Sequence, residues 1–164
     1  MSGTALTNWI PEGFKPLIGT EEATIDDKGR ILFSKKKRDR LGDGFAILWS
    51  TSGCLAAYPA GVWERMLEEI LQYDSINEGR SQYTRLVLGT AEDELKFDGQ
   101  GRVVIPQKMR EAAKLKDKVM LVGCLDRVEI WARDEYELFL QDPETYGRQR
   151  REAVAKAYNE MVGR

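Results

Sequence analysis

Two arginines, Arg30 and Arg102, are the side chains in this chain with the clearest capacity for molecular recognition. Each ends a copy of the pattern Asp-x-x-Gly-Arg, formed by Asp26, Gly29 and Arg30 and again by Asp98, Gly101 and Arg102. Asp and Gly shape tight turns, but turn geometry does not require an arginine after the glycine. Its recurrence therefore indicates a use at the surface. A guanidinium there can donate two hydrogen bonds to one acceptor-rich edge, such as O6 and N7 of guanine.

The residues around each turn predict two strands that present it and a helix that follows. Residues 103–105 are a β-branched run, and Pro106 suits the first position of a helix. In the first copy residues 31–33 replace that run, and Ser34 is predicted to cap a short basic helix. At the same offset, Lys36 matches Lys108 and Arg38 matches Arg110. The chain is therefore an internal duplication.

Charge is concentrated on the two turn units. The net charge of −2 and the pI of about 5.4 argue against a nucleic-acid partner. However, residues 28–40 contain seven basic residues against one acidic residue, and residues 100–112 contain three against one. We expect phosphate contacts from the basic side chains near the turns, namely Lys28, Lys35, Lys36, Lys37, Arg38 and Lys108. The alternatives are a solvated basic face and, for Arg30 and Arg102, ion pairing with nearby carboxylates.

Composition argues against several other classes of protein. A hydrophobic fraction of 42% is too high for a disordered chain, and halves of this size are expected to share a core. No apolar run reaches the length of a membrane span, and the N-terminus does not resemble a signal peptide, so we expect a cytoplasmic protein. The chain has no His for general-base catalysis and no Cys-x-x-Cys. We therefore expect no enzyme, no metal, no cofactor and no small-molecule substrate, with Cys54 and Cys124 as buried free thiols.

Five segments are predicted along the chain. They are an extended leader over 1–20, a first repeat with its helix over 21–74, a linking helix over 75–89, a second repeat over 90–142 and a C-terminal helix over 143–164. The apolar leader residues, such as Trp9 and Phe14, either pack on a neighbouring surface or are mobile. The last helix is either a packing helix, with Arg150 among its exposed residues, or an oligomer contact.

Hydrophobic periodicity within these segments predicts the individual elements. Strands are expected over 45–49, 54–58, 91–97, 102–105, 118–123 and 127–132, and helices over 60–73, 75–88, 106–114, 134–141 and 145–162. Large aromatic residues recur on these elements. We expect Trp49, Tyr58, Trp63 and Trp131 to lie in the core, with base-stacking platforms as the alternative.

The duplicated unit of strand, turn, strand, short helix and second hairpin resembles the MraZ family. The match extends from about Ala23 to about Leu140, and Asp26, Lys28, Gly29 and Arg30 match its Asp-x-Lys-Gly-Arg motif. The resemblance implies an α+β fold. It consists of two tandem AbrB-like swapped-hairpin units that share a β-barrel-like core, with flanking amphipathic helices. Three features depart from the family: Phe33-Ser34 where it usually has Val-Pro, the basic run 35–38, and the longer leader.

The resemblance also implies a function. It indicates a sequence-specific regulator of transcription that represses the division and cell-wall gene cluster, acting at the nucleoid as a ring-shaped homo-oligomer. Its partner would be double-stranded DNA with short G-rich direct repeats. Arg30 and Arg102 would contact the DNA, and Asp26 and Asp98 would shape the turns. The alternative is a protein-interaction module of the same fold, antitoxin-like or a scaffold, although the C-terminus reads as a regular amphipathic helix rather than a disordered tail.

Overall fold

The strands of the described part of the chain follow the predicted order, and two similar turns lie between the first and second and between the fifth and sixth of its eight strands. The structure is a computed structural model and describes residues 13–164, so residues 1–12 of the predicted leader lie outside it. The strands are β1 (Thr20–Thr24), β2 (Arg30–Leu32), β3 (Phe45–Trp49), β4 (Leu55–Tyr58), β5 (Glu92–Leu95), β6 (Arg102–Val104), β7 (Lys118–Gly123) and β8 (Val128–Ala132).

Six α-helices connect and cover these strands within the described residues, so the fold is mixed α+β. They are α1 (Lys35–Leu41), α2 (Ala60–Leu71), α3 (Glu78–Leu86), α4 (Gln107–Ala112), α5 (Arg133–Gln141) and α6 (Arg148–Val162). A 3₁₀ turn, Leu88–Thr90, joins α3 to β5. None of the helices in residues 13–164 has both the length and the apolar character needed to cross a membrane.

The main sheet has six strands and is built by exchange between the two repeats. Its order is β1-β7-β8-β4-β3-β5, and every pairing is antiparallel. The first strand of each repeat pairs with a strand of the other repeat: β1 with β7, and β5 with β3. The central pair β4–β8 also joins the two repeats. Neither repeat therefore completes its own sheet.

A separate two-stranded sheet, the β2–β6 ribbon, brings together the strands that follow the two turns. It is antiparallel, with Arg30 opposite Val104, Ile31 opposite Val103, and Leu32 opposite Arg102. Ile31 and Val103 point into the protein and are buried, so the alternate residues point outward. The ribbon thus has one core face and one solvent face.

The core belongs to both repeats. Its largest cluster contains side chains of the ribbon strands, Phe33 and Ile105 directly after those strands, and main-sheet residues such as Phe45 and Leu121. A second cluster lies on the other face of β3 and β4, under α2, α3 and α6. Trp63 is buried in this second cluster and Trp131 is buried beneath α5, as predicted, whereas Trp49 and Tyr58 are only half-buried.

The described part of the leader is packed against the protein. Leu17 is 1% exposed and exchanges two backbone hydrogen bonds with Leu125, at 2.8 and 2.7 Å. A side chain at Gly123 would meet the backbone of Ile18 at 2.4 Å, so the leader passes close to the end of β7. The packed alternative therefore holds for this portion, while Trp9 lies outside the described residues.

Several predicted element ends are wrong, each for a local reason. Pro106 is the N-cap of α4 rather than its first residue, because its backbone is extended with ψ of 150°. The helix predicted over 75–88 begins only at Glu78, since the Asn77 side chain accepts a hydrogen bond from Arg80 N and caps it there. Ser34 caps α1 as predicted.

The C-terminal helix α6 packs on α3, and one of its predicted exposed residues is instead held inside. Asn77 Nδ2 donates to Met161 O at 3.0 Å, and a side chain at Gly79 would meet Met161 N at 2.1 Å. Arg150 is half-buried, with its Cζ 3.5 Å from the centroid of the Trp49 ring. The prediction that Arg150 is exposed was wrong, because helical spacing alone does not show which neighbours a long side chain reaches.

Candidate nucleic-acid interface

The first turn is organised by one carboxylate. Asp26 Oδ1 accepts hydrogen bonds from the backbone N–H groups of Lys28 and Arg30, each at 2.9 Å. Asp26 Oδ2 accepts from Arg30 Nε at 2.7 Å. The same side chain therefore closes the turn and fixes the direction of the guanidinium that follows it.

The second turn repeats this arrangement atom for atom. Asp98 Oδ1 accepts from the backbone N–H groups of Gln100 and Arg102 at 2.9 Å, and Asp98 Oδ2 accepts from Arg102 Nε at 3.0 Å. The ion pair that competed with surface recognition in the sequence analysis is thus present in both copies. Since it uses only Nε, it orients each guanidinium without occupying its outer nitrogens.

The hydrogen bonds in the two turns keep both carboxyl groups ionised. The pKa of Asp26 lies below its ordinary value of 3.8, chiefly because the backbone N–H of Arg30 bonds to the charged form. The pKa of Asp98 is lowered in the same way by the backbone N–H of Arg102. At neutral pH each turn therefore has a full negative charge beside its arginine.

Glycine is required in both turns by backbone conformation and by space. Gly29 and Gly101 have φ of 79° and 83°, in the left-handed region that side chains other than glycine rarely adopt. A Cβ on Gly101 would lie 2.6 Å from Arg38 Cζ, and one on Gly29 would lie 3.1 Å from Arg110 Cζ. Each turn is thus covered by an arginine from the other repeat.

The solvent face of the β2–β6 ribbon displays the two turn arginines together. Arg30 and Arg102 are about a quarter exposed, and each lies opposite an aliphatic residue of the other strand, Val104 or Leu32. Both aliphatic side chains are 55% exposed. Arg30 and Arg102 are therefore diagonal neighbours across the two strands, and the Cα atoms of such neighbours are about 7–8 Å apart. The ribbon therefore presents a compact face of two arginines and two apolar side chains.

The outer nitrogens of these arginines are available to a ligand. Among residues 13–164, no hydrogen bond or ion pair occupies the Nη atoms of Arg30 or Arg102. A guanidinium held by Nε with both Nη groups free keeps its planar double-donor edge. That edge matches the paired acceptors of guanine or the oxygens of a phosphate.

The basic run of α1 does not form one uniform surface. Lys36 is exposed, and Lys35 is exposed but paired with Asp39 at 2.7 Å. Lys37 is only 6% exposed, and its Nζ donates to Ile18 O at 3.3 Å and lies 3.8 Å from Glu21. The sequence analysis predicted that Lys37 contacts phosphate. This position does not fit that role, because α1 directs the Lys37 side chain toward the leader.

The duplication itself contained the information needed to place Lys37. At the common offset Lys37 corresponds to Met109, which is an apolar residue and is buried in α4. The flanking residues Lys36 and Lys108 correspond to each other and are both exposed. The prediction for Lys37 was therefore made from the charge of the basic run alone, without the comparison with Met109.

The remaining predicted site residues divide into two groups. Lys28 and Lys108 are exposed near the ribbon strands in sequence and keep their ammonium groups free of ion pairs within the described residues. Arg38 is half-buried, and its Nε donates to Phe33 O at 3.0 Å rather than pointing outward. Arg110, which corresponds to Arg38 in the second repeat and was not among the predicted site residues, donates to Ile105 O at 2.9 Å.

The departure Phe33-Ser34 leaves the turn unit intact. Phe33 is 1% exposed, and its ring centroid lies 5.2 Å from that of Phe97, the residue before the second turn. Its backbone N–H donates to Gly101 O, as that of Ile105 donates to Gly29 O. Ser34 caps α1 where Pro106 precedes α4. The larger side chain therefore changes the core and not the outer face.

The two cysteines are the other reactive side chains that the sequence analysis considered. Cys54 and Cys124 are both free thiols; Cys54 is buried as predicted, whereas Cys124 is half-buried. Burial raises the pKa of Cys54 far above its ordinary value and that of Cys124 to about 11, so both are protonated at neutral pH. In residues 13–164, the side chains of His, Cys, Asp and Glu form no group of three that could bind a metal ion.

The chain is similar to a family of proteins with the same duplication. The family described as "MraZ protein, putative antitoxin-like" matches residues 17–86 and 88–156. The chain belongs to the MraZ family. A protein named Transcriptional regulator MraZ from Kineococcus radiotolerans is 36% identical over 84% of this chain and 95% of its own.

Further relatives have the same name. The Transcriptional regulator MraZ of Pediococcus pentosaceus is 34% identical over 77% of this chain and 88% of its own length. The protein of that name from Roseiflexus castenholzii is 36% identical over 70% of this chain and 80% of its own. The similarity therefore spans both repeats rather than a single motif.

Proposed function

We propose that this protein is a sequence-specific, DNA-binding regulator of transcription that reads bases with Arg30 and Arg102. The observation that supports this most directly is the ribbon face, where a carboxylate orients each guanidinium and no other residue of 13–164 occupies its Nη atoms. The name Transcriptional regulator shared by the relatives supports the same conclusion.

The ribbon suits the major groove of DNA. That groove admits a two-stranded β-ribbon, and bidentate pairing of Arg with guanine is the commonest specific contact there. A diagonal separation of about 7–8 Å between Arg30 and Arg102 corresponds to roughly two base-pair steps. Leu32 and Val104 on the same face fit the methyl groups of thymine. One ribbon would thus read a site of a few base pairs.

Phosphate contacts would come from the exposed lysines near the ribbon. Lys28 lies in the first turn, and Lys36 and Lys108 lie at equivalent positions of α1 and α4. Each phosphate neutralised releases counterions, so affinity falls with salt and does not depend on sequence. These lysines supply affinity and the two arginines supply specificity.

A short site implies that several chains act together. We propose a ring-shaped homo-oligomer that binds consecutive short G-rich direct repeats, because a few base pairs per chain give weak binding that multivalency strengthens. The exchange of β1 and β5 between repeats supports a swapped-hairpin fold for each unit. As a member of the MraZ family, the regulator would repress the division and cell-wall gene cluster, at the nucleoid in the cytoplasm.

A protein partner is the second candidate function. Leu32 and Val104 are exposed aliphatic residues on the same ribbon face as the two arginines, and exposed apolar residues favour protein contacts as well as thymine methyls. The family description also contains the word antitoxin-like. In this alternative the ribbon would bind a protein, and DNA contact would be secondary.

The two functions are separated by one binding experiment. A labelled duplex from upstream of the protein's own gene and a scrambled duplex are titrated with wild type, Arg30→Ala and Arg102→Ala over a range of salt concentrations. We expect wild type to prefer the native duplex, and each variant to lose roughly tenfold or more of that preference. Arg148→Ala is the matched control, because it removes the same charge from the exposed face of α6.

Equal binding of native and scrambled DNA by wild type, with no effect of either arginine variant, would exclude base reading by the ribbon. Affinity purification with a Leu32→Asp and Val104→Asp double variant as the negative control would then test the protein partner. Sedimentation of the wild-type protein tests the ring separately, since a monomer at micromolar concentration contradicts it.

A further inference from the structure

Arg38 and Arg110 form the same set of contacts in the two repeats, and each set crosses to the other repeat. Arg38 follows β2 on α1, and Arg110 follows β6 on α4. Neither arginine forms an ion pair within residues 13–164, although carboxylates are abundant in this chain. Their guanidinium groups are instead directed at backbone.

The contacts of Arg38 lead in three hydrogen bonds to the second turn. Arg38 Nε donates to Phe33 O at 3.0 Å, and Phe33 N donates to Gly101 O at 3.1 Å. Gly101 N in turn donates to Asp98 O at 3.0 Å. Asp98 is the residue that orients Arg102. Arg38 of the first repeat is thus linked to the base-reading arginine of the second.

The contacts of Arg110 lead from the second repeat to the first turn through three hydrogen bonds of similar length. Arg110 Nε donates to Ile105 O at 2.9 Å, Ile105 N donates to Gly29 O at 2.8 Å, and Gly29 N donates to Asp26 O at 3.0 Å. Asp26 orients Arg30. The chain therefore contains two equivalent links, each of which joins a helix of one repeat to the turn of the other.

Packing strengthens each link. The guanidinium of Arg38 lies so close to Gly101 that an added Cβ would be 2.6 Å from its Cζ and 2.6 Å from its Nε. The guanidinium of Arg110 covers Gly29 similarly, since a Cβ added to Gly29 would be 3.1 Å from Arg110 Cζ. A flat guanidinium can both lie against a glycine and donate in its own plane, whereas an ammonium cannot.

We propose that Arg38 and Arg110 are positioning residues for DNA reading, each acting on the turn of the other repeat: Arg38 on Arg102, and Arg110 on Arg30. The proposal depends on the function proposed above and adds a regulatory consequence. Because each reading arginine is held by the opposite repeat, neither half of the ribbon is preorganised without the other. Base contacts need such preorganisation, since a loosely held arginine loses its specific geometry.

The test is a double-mutant comparison that uses Arg38→Lys, which keeps the positive charge but not the planar contact. The readout is the ratio of affinities for the native and scrambled duplexes. We expect Arg38→Lys to lower this ratio roughly tenfold. Adding Arg38→Lys to Arg102→Ala should change the ratio little, because the arginine it positions is already absent. Adding Arg38→Lys to Arg30→Ala should again lower the ratio roughly tenfold, because Arg102 is still present in that background.

Salt dependence distinguishes positioning from direct phosphate binding. If Arg38 bound a phosphate itself, Arg38→Gln would reduce the slope of log affinity against log salt by about one, whereas a positioning residue leaves the slope unchanged. A reduced slope in Arg38→Gln with an unchanged native preference in Arg38→Lys would overturn the proposal. The proposal would also be overturned if Arg38→Lys lowered the affinity ratio by the same factor in the Arg102→Ala background as in wild type.

Folding and the second copy are checked in the same series. Urea unfolding of each variant confirms that the fold is retained. If Arg38→Lys fails to fold, Arg110→Lys with Arg30→Ala tests the equivalent link, and multiplicative effects there also overturn the proposal. The two proposals fail differently: if Arg30→Ala and Arg102→Ala keep the native preference, DNA reading itself is wrong. If they lose it while both lysine variants keep it, only the positioning role is wrong.

Discussion

Asp26 Oδ2 lies 2.7 Å from Arg30 Nε, while Oδ1 of the same carboxylate accepts the backbone N–H of Arg30. A single side chain therefore builds the turn and aims the arginine, and Asp98 does the same for Arg102. The ion pair and the surface role, which the sequence presented as alternatives, are two parts of one arrangement.

The first prediction concerns the pH dependence of this arrangement. Since hydrogen bonds to the ionised form hold the pKa of Asp26 and of Asp98 below 3.8, their stabilisation is present above that ordinary value and is lost as pH falls through the lowered one. An Asp26→Asn and Asp98→Asn double variant should be less stable than wild type at pH 7. The difference should be constant down to about pH 4 and shrink below it. Urea unfolding across pH measures this, and a difference that widens in acid contradicts it.

The second prediction compares two adjacent lysines of α1. Lys36 is exposed, whereas Lys37 is directed toward Ile18 and Glu21. Lys36→Met should reduce the salt slope of DNA binding by about one, and Lys37→Met should leave it unchanged. The substitutions are chemically identical, so each is the control for the other. An equal reduction in both would mean that α1 presents Lys37 to DNA.

The third prediction concerns Gly101. Alanine there adopts a left-handed backbone, which costs about 1–2 kcal/mol, and its Cβ also meets Arg38. We expect Gly101→Ala to lower the free energy of unfolding by at least this amount and to weaken the native preference. Gly99→Ala is the control in the same turn, because among the described residues no atom lies within 4 Å of its Cβ position. Urea unfolding and the two-duplex titration measure both effects. Equal stability and equal native preference of the two variants would show that glycine is not required at position 101.

The fourth prediction concerns Arg150 as the attachment of α6. Its Nη2 donates to Trp49 O at 2.7 Å and to Leu86 O at 2.8 Å, and its Nε donates to Ser50 O at 2.7 Å. Burial lowers its pKa to about 10, so it remains charged at neutral pH. Arg150→Met removes all three hydrogen bonds, although Ser50 O keeps the one from Gly53 N at 3.1 Å, and should cost about 2 kcal/mol of stability.

Arg148→Met is the control for Arg150 on the same helix. Arg148 is exposed and its ion pair with Glu152 is 3.9 Å long, so its removal should change stability by less than about 0.5 kcal/mol. Urea unfolding followed by tryptophan fluorescence reports on both variants, since Trp49 lies under Arg150. A free energy of unfolding for Arg150→Met within that same margin of wild type would show that Arg150 does not attach α6.

Local sequence was sufficient to predict the turns, most elements and the duplication. Asp, Gly and Arg at one spacing select a tight turn through contacts of only a few residues, so Asp26 and Asp98 could be assigned from the sequence alone. The buried strand β3 and the amphipathic helix α2 followed from periodicity in the same way.

Which side chains are buried and which reach the ribbon face depended on contacts between residues distant in sequence. The burial of Lys37 and the attachment of Arg150 to Trp49 and Leu86 join segments far apart in sequence, and no local pattern shows them. Strand exchange between the repeats has the same cause, because β1 could have paired within its own repeat. The sequence by itself thus determined the two Asp-x-x-Gly-Arg turns and the elements beside them, which depend on near neighbours. Only the tertiary structure decided that both arginines share one ribbon face and that Arg38 and Arg110 hold the opposite turns, because those contacts form when the repeats pack together.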